Sequence, residues 1–320
     1  MRKFFPRYNL LIAENAVNQH TLIRYLINEK AEIFIMKKCI IVMLATSLCL
    51  LAGCGKNQTS SKEVVMKSDY AVNTEEVTIP SGENSLYGTL YKPETDAKTP
   101  LIIMCHGYNG VGDDFKEEGE LFAKNGVATY TLDFCGGSTR SKSTGDTKDM
   151  TIFTEKNDLL SAYNYFKSQE YIDSSNIFLF GGSQGGLVTT LATEELGDEV
   201  AGMALYFPAL CIADNWRETY PDTDMIPESE EFWEMTLGKN FFESIHDFYI
   251  FNEIGSYPNN VLILHGDKDE IVPLAYSEKA ASLYKNAELI VMEGEGHGFQ
   301  PEAGKTARED VLEFIKDNIR

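Results

Sequence analysis

The segment Ile177-Phe-Leu-Phe-Gly181-Gly182-Ser183-Gln184-Gly185-Gly186-Leu187 constrains this chain more than any other, because an apolar run stops abruptly at glycines that enclose one serine. Residues 177–180 predict a buried strand, the chain must turn sharply at Ser183, and a helix is predicted from Gln184 through Glu195. Glycine is needed at 181 and 185 because strand and helix approach so closely at such a turn that a Cβ at either place would collide. Ser183 takes a strained backbone that lifts its Oγ clear, and the helix N-terminus points free N–H groups at the same spot. The Gly-x-Ser-x-Gly pattern arises by chance often enough that its meaning depends on partners elsewhere in the chain.

With 43% hydrophobic residues, 320 residues suffice for one large α/β domain plus a leader. The formal charge of −21 excludes nucleic acid as a partner, because phosphate binding needs a basic face. A neutral or modestly polar small molecule fits better. Of six cysteines, Cys39 and Cys49 fall in the leader and Cys54 at its end; Cys105, Cys135 and Cys211 sit in apolar or strand-end contexts and read as buried thiols. There is no Cys-x-x-Cys and no His-x-x-x-His, so neither a metal site nor a cofactor is expected.

The front of the chain has its own character. Lys37 and Lys38 form a basic stretch, residues 39–51 an apolar one, and Leu51-Ala52-Gly53-Cys54 closes it with small residues before a cysteine. This order resembles the lipobox of bacterial lipoproteins, which implies cleavage before Cys54, lipid on that cysteine, and an exported protein anchored at the outer side of the cell membrane. The apolar stretch is too short to span a bilayer, which takes about 20 residues. Met36 stands directly before the lysine pair, so residues 1–35 read as a non-native upstream extension and 36–53 as the signal peptide. Residues 54–71 read as a flexible polar linker, and 72–320 as the folded domain.

Within that domain, residues 75–80 and 85–92 alternate around Ser81-Gly82-Glu83-Asn84 and predict a hairpin. Strands are predicted at 101–105, 127–133, 200–207, 261–264 and 288–292, and helices at 113–125, 154–169, 275–285 and 303–318. Apolar strands alternating with amphipathic helices imply a mostly parallel sheet covered on both faces, with its ligand site beyond the carboxyl ends of the strands. His106, Asp133, Ser183, Asp269 and His297 all follow strand ends and should converge on one rim. Residues 211–260 break the alternation and are rich in aromatics, as expected of a cap whose aromatics mostly pack it onto the body while a few wall a pocket.

A serine hydroxyl becomes a useful nucleophile when an imidazole accepts its proton and a carboxylate steadies that imidazole. His297, flanked by Gly296 and Gly298 on the loop after the last strand, can reach back across the rim and is the expected base. In His265-Gly-Asp267-Lys-Asp269, the later aspartate lies further into the loop and is the expected carboxylate; Asp267 is expected to brace the loop. The oxyanion needs two preorganised donors, assigned to the backbone N–H groups of Gln184 and of Tyr108 in His106-Gly107-Tyr108-Asn109-Gly110. His106 reads as a brace.

His106-Gly107-Tyr108-x-Gly110, Leu132-Asp133-Phe134 with Gly136 and Ser138, Gly181-x-Ser183-Gln184-Gly185-Gly186, His265-Gly266-x-x-Asp269 and Gly296-His297 together resemble the α/β-hydrolases, and from about residue 72 onward the bacterial cinnamoyl and feruloyl esterases. The resemblance implies an α/β-hydrolase fold with a mostly parallel eight-stranded sheet, a cap at 211–260, and hydrolysis of a small-molecule ester by Ser183, Asp269 and His297 through an acyl-enzyme. The chain order serine, aspartate, histidine agrees. An acidic residue early in that family's cap can bind a phenolic end; the closest position here is Asn215, a departure from that pattern, with Asp214 beside it and Trp216 and Trp233 as further substrate-binding candidates. The loop Cys135-Gly136-Gly137-Ser138 departs from the family, which usually has a histidine between glycines. Two rival readings are a prolyl oligopeptidase-type peptidase, disfavoured because 320 residues leave no space for the usual propeller, and a lipoprotein that keeps the fold as a binding module without turnover.

Overall fold

The computed structural model describes residues 69–320. The lipobox, Cys54 and all but the last residues of the expected linker lie outside the described residues. Among the described residues no helix is long and apolar enough to cross a membrane.

The body opens with a hairpin, β1 (Val72–Ser81) and β2 (Asn84–Pro93), whose two-residue turn places Gly82 at φ +57°. There follow β3 (Thr99–Cys105), a 3₁₀ turn at Gly112–Phe115, α1 (Lys116–Lys124), β4 (Ala128–Asp133), α2 (Ile152–Lys167), β5 (Ile172–Gly182), α3 (Gln184–Leu196) and β6 (Gly202–Tyr206). The sheet resumes with β9 (Asn260–Gly266), α7 (Leu274–Leu283), β10 (Ala287–Met292) and α8 (Pro301–Asp317). Between β6 and β9 lies the cap: α4 (Ile212–Thr219), a small hairpin of β7 (Ser229–Phe232) and β8 (Met235–Gly238), α5 (Lys239–His246) and α6 (Ile250–Glu253).

Eight strands form one sheet in the order β1-β2-β4-β3-β5-β6-β9-β10. The β1/β2 and β2/β4 pairs are antiparallel and the others parallel. Strand alternation splits the core in two. Leu101, Ile103, Ile177 and Leu179 face α2 and α3, whereas Ile102, Met104, Phe178 and Phe180 face the side covered by Phe122 of α1 and Val311 and Ile315 of α8. This is the α/β-hydrolase fold, with a mostly parallel eight-stranded sheet and helices on both faces.

Several element boundaries differ from expectation, the elbow strand for one beginning at Ile172, and two of the differences have identifiable causes. The helix predicted from 154 starts at Ile152, because Thr151 caps it: Thr151 Oγ1 accepts from Thr154 N at 3.0 Å while Thr151 N donates to Thr154 Oγ1 at 2.8 Å. The single helix predicted over 113–125 is broken into a 3₁₀ turn and α1, because Asp114 Oδ2 takes the Val111 N–H and Asp133 Oδ1 takes the Gly112 N–H.

Candidate active site

The turn between β5 and α3 holds Ser183 at φ +53°, ψ −120°, a conformation that non-glycine residues rarely adopt. Backbone bonds clamp it: Ser183 N donates to Tyr206 O, and Ser183 O accepts from Gly186 N and Ala209 N. A Cβ on Gly181 would stand 2.2 Å from Gly185 O, so the strand–helix approach does exclude a side chain there. At Gly185 the obstacle is different, because its Cβ would meet the carbonyl oxygens of Cys105 and His106 at 2.4 Å. That glycine lets α3 sit over the end of β3.

His297 Nε2 lies 3.0 Å from Ser183 Oγ, and His297 Nδ1 lies 2.8 Å from Asp269 Oδ2. The Asp269 side chain is fully buried, and its Oδ1 accepts from the N–H groups of Ile271 and Val272. With Nδ1–H donating to the carboxylate, Nε2 is left as the acceptor for the serine proton. The His297 ring packs against Phe207, which leaves β6 at φ +35° and places its centroid 4.7 Å away. Chemically the arrangement can deprotonate Ser183 and hold the resulting imidazolium.

The loop after β3 approaches from the other side, where a Cβ on Gly107 would lie 3.7 Å from Ser183 Oγ. Gln184 is the first residue of α3, so its N–H has no intrahelical acceptor. The Tyr108 N–H makes no hydrogen bond within the described residues. Tyr108 Oη donates to Phe232 O at 2.7 Å and Asn109 Nδ2 to Trp233 O at 3.2 Å, tying this loop to the cap hairpin. Asn109, at φ +52°, is also held by Ser138 and Thr139 through its side-chain oxygen.

The remaining rim residues serve as supports. His106 donates from Nδ1 to Gly107 O and accepts the Phe134 N–H at Nε2, and burial keeps it neutral by pushing its pKa down. Asp133 receives Gly112 N and Lys142 N, and Asp267 receives Gly294 N. Sequence reasoning missed two neighbours. His265, fully buried, approaches Asp269 Oδ2 with Nε2 at 3.2 Å, and Glu155 accepts from Gln184 Nε2 at 2.8 Å. Only the short spacing from His265, at the end of β9, to Asp269 four positions later offered a signal for the first; Gln184 and Glu155 stand 29 positions apart.

The substrate-binding candidates divide. Asp214 is engaged within the fold, with Oδ1 on Arg217 and Oδ2 accepting from Tyr276 Oη at 2.8 Å. Asn215 is exposed on α4, its Nδ2 3.5 Å from Cys211 Sγ. Trp216 packs among Tyr220, Phe232 and Phe242. Trp233, 55% exposed at the hairpin tip with φ +42°, stacks on Phe232 and lies 6.2 Å from the Tyr108 ring. Of the four, it is the one in contact with the loop beside Ser183. Among the described residues no group of three His, Cys, Asp or Glu side chains could hold a metal ion.

The profile of the prolyl oligopeptidase family matches residues 113–320. An uncharacterised 31.7 kDa protein of Escherichia coli is 34% identical over 99 residues, 31% of this chain, and the match spans about a third (34%) of that relative's length. A bifunctional esterase/perhydrolase of Acinetobacter calcoaceticus is 25% identical over 276 residues, 71% of this chain and 95% of its own. The solved structure of Est1E from Butyrivibrio proteoclasticus with bound ferulic acid superposes with a TM-score of 0.70 at 27% identity, covering 76% of this chain and 98% of that one.

Proposed function

We propose that this chain, which belongs to the prolyl oligopeptidase family, is a serine esterase that cleaves carboxylic esters of small molecules through an acyl-enzyme on Ser183. The family is the one set second on sequence grounds; a propeller is no part of the serine–histidine–aspartate scaffold, so its absence from 72–320 does not bear on membership. The observation that carries the proposal is the hydrogen-bonded line Ser183 Oγ, His297 Nε2, His297 Nδ1, Asp269 Oδ2, with separations of 3.0 and 2.8 Å.

In this reading Ser183 Oγ attacks the ester carbonyl carbon as His297 Nε2 takes its proton, and Asp269 stabilises the imidazolium. The N–H groups of Gln184 and Tyr108 receive the oxyanion. Collapse breaks the bond to the alcohol, which leaves with the proton from His297. A water, deprotonated by the same imidazole, then releases the acid and restores Ser183. The esterase relative and the ferulate-bound neighbour favour an ester with a compact, aromatic acyl group, for which Trp233 offers a ring surface beside Tyr108.

Initial rates on methyl ferulate, p-nitrophenyl acetate and p-nitrophenyl octanoate test the substrate class; a preference for octanoate would rule out a compact aromatic acyl pocket. Ser183→Ala should reduce every rate by roughly 10⁴-fold or more. The family match favours one competing reading, cleavage of a peptide amide by the same groups, and faster turnover of an aminoacyl p-nitroanilide than of any ester would establish it. The order of residues 37–54 supports the further proposal that the mature protein begins at a lipidated Cys54 and faces outward from the cell membrane.

A further inference from the structure

Gln184 and Glu155 are both buried, at 2% and 1% exposure, and meet under the serine turn. Glu155 lies in the first turn of α2, where its N–H donates to Thr151 O. Its Oε2 accepts from Gln184 Nε2 at 2.8 Å, whose other neighbour is Met150 Sδ at 4.0 Å. Its Oε1 is buried, faces Gly137 and has no hydrogen-bond partner among the described residues. A Cβ on Gly137 would meet Phe134 Cβ at 2.6 Å and Oε1 at 3.0 Å, so a side chain there would crowd both the loop and the carboxyl.

We propose that Glu155 is a positioning residue for the ester-cleaving site, acting through Gln184: its carboxyl holds the Gln184 side chain and thereby fixes the peptide whose N–H faces the developing oxyanion. The inference rests on the esterase reading above. An oxyanion donor is useful only if it is already aimed when charge appears, and a glutamine anchored at both its backbone and its side-chain end cannot swing.

The local chemistry suits a neutral acid. Among the described residues one donor serves two carboxyl oxygens, a poor arrangement for an ion away from water, and burial pushes the Glu155 pKa up to about 8. The titratable groups facing it are Asp158 one turn along α2, the Cys105 thiol of β3 and the Tyr108 phenol, all shifted upward chiefly by burial. Asp158 has two donors of its own, Ser81 Oγ at 2.6 Å and Cys135 N at 2.8 Å. When Glu155 ionises, a buried negative charge appears beside the place where the oxyanion must form, and turnover should fall.

The test uses the full chain with p-nitrophenyl acetate and the variants Glu155→Ala and Glu155→Gln, their folding checked by thermal melts. Glu155→Ala should lower kcat at least roughly tenfold with KM within about threefold, and Glu155→Gln, which keeps an acceptor for Gln184, should restore at least about a third of the wild-type kcat. A smaller loss in folded Glu155→Ala, or an equal loss in both variants, overturns the proposal. If Glu155→Ala does not fold, the pH profile of Glu155→Gln decides. Loss of the wild-type fall in kcat near pH 8 upholds the positioning role, and an unchanged profile refutes it. Wild-type protein that hydrolyses no ester sinks the esterase reading itself, a result separate from either outcome for Glu155.

Discussion

His265 and His297 share one carboxylate oxygen: His265 Nε2 lies 3.2 Å and His297 Nδ1 2.8 Å from Asp269 Oδ2. His265 also has Nε2 3.0 Å from Val272 O and accepts from Ser277 Oγ at Nδ1, and burial pushes its pKa down, so it is a neutral donor rather than half of an ion pair. Together with the N–H groups of Ile271 and Val272, it fixes the carboxylate that orients His297. His265→Ala should therefore lower kcat roughly tenfold and cost about 1–3 kcal/mol of stability. His265→Gln, which can donate from a similar place, should recover part of both. A folded His265→Ala enzyme with unchanged kcat would show that the two backbone donors suffice for Asp269.

The two kinds of glycine constraint predict different outcomes for the same substitution. Gly185→Ala would drive a Cβ to 2.4 Å from two backbone carbonyl oxygens, so the serine turn cannot form and soluble, active protein should be lost. Gly197→Ala has nothing within 4 Å of its Cβ and suffers only from φ +59°, which should cost about 1 kcal/mol and leave kcat intact. Expression yield, melting temperature and kcat of the pair distinguish the cases.

Glu155 also makes stability depend on pH. Its folded-state pKa of about 8 is raised above the ordinary 4.5, so the stabilisation from proton uptake is fully present below about 4.5 and is lost as pH rises through about 8. Melting temperatures of wild type and Glu155→Gln measured across that window should diverge in favour of the variant as pH rises, by an amount on the order of a few kcal/mol at the alkaline end. Parallel curves would mean that Glu155 is already ionised in the folded protein.

Tyr108→Phe removes the hydroxyl that donates to Phe232 O and leaves the ring in place. Loosening the cap hairpin from the oxyanion loop should cost about 1 kcal/mol in stability and lower kcat severalfold on aromatic esters. Equal kcat for Tyr108→Phe and wild type on methyl ferulate would mean that the hairpin tip does not help to hold the loop.

Membrane attachment is checked by fractionation. Cys54→Ala should shift the protein from the membrane fraction to the soluble one, and wild-type protein already found in the soluble fraction would remove the basis for a lipid anchor.

Much of this molecule was legible in one dimension because the signals were local. Apolar runs such as 101–105 and 177–180 are buried on both sides, so they read as interior strands of a parallel sheet, and the glycines around Ser183 mark a backbone that only a tight strand–turn–helix needs. The distances among Ser183, Asp269 and His297 follow from strand ends sharing one rim, which the order of strands and loops implied. Local capping was harder to read: the Thr151–Thr154 pair starts α2 two residues early, and side-chain acceptors broke the helix over 113–125 in two.

Alone, then, the sequence determined the fold class, the serine turn and the order of its partners, because glycine placement and apolar periodicity act within a few residues of backbone. Tertiary structure decided the rest. It engaged Asp214 with Tyr276, 62 residues away, instead of leaving it free, and brought Trp233 against Tyr108 across the cap. It also placed Glu155 under Gln184 and a second imidazole on Asp269. Those contacts depend on how α2, α4 and the loop after β9 settle against the sheet, and side-chain partners separated by tens of residues leave no periodic trace in the chain.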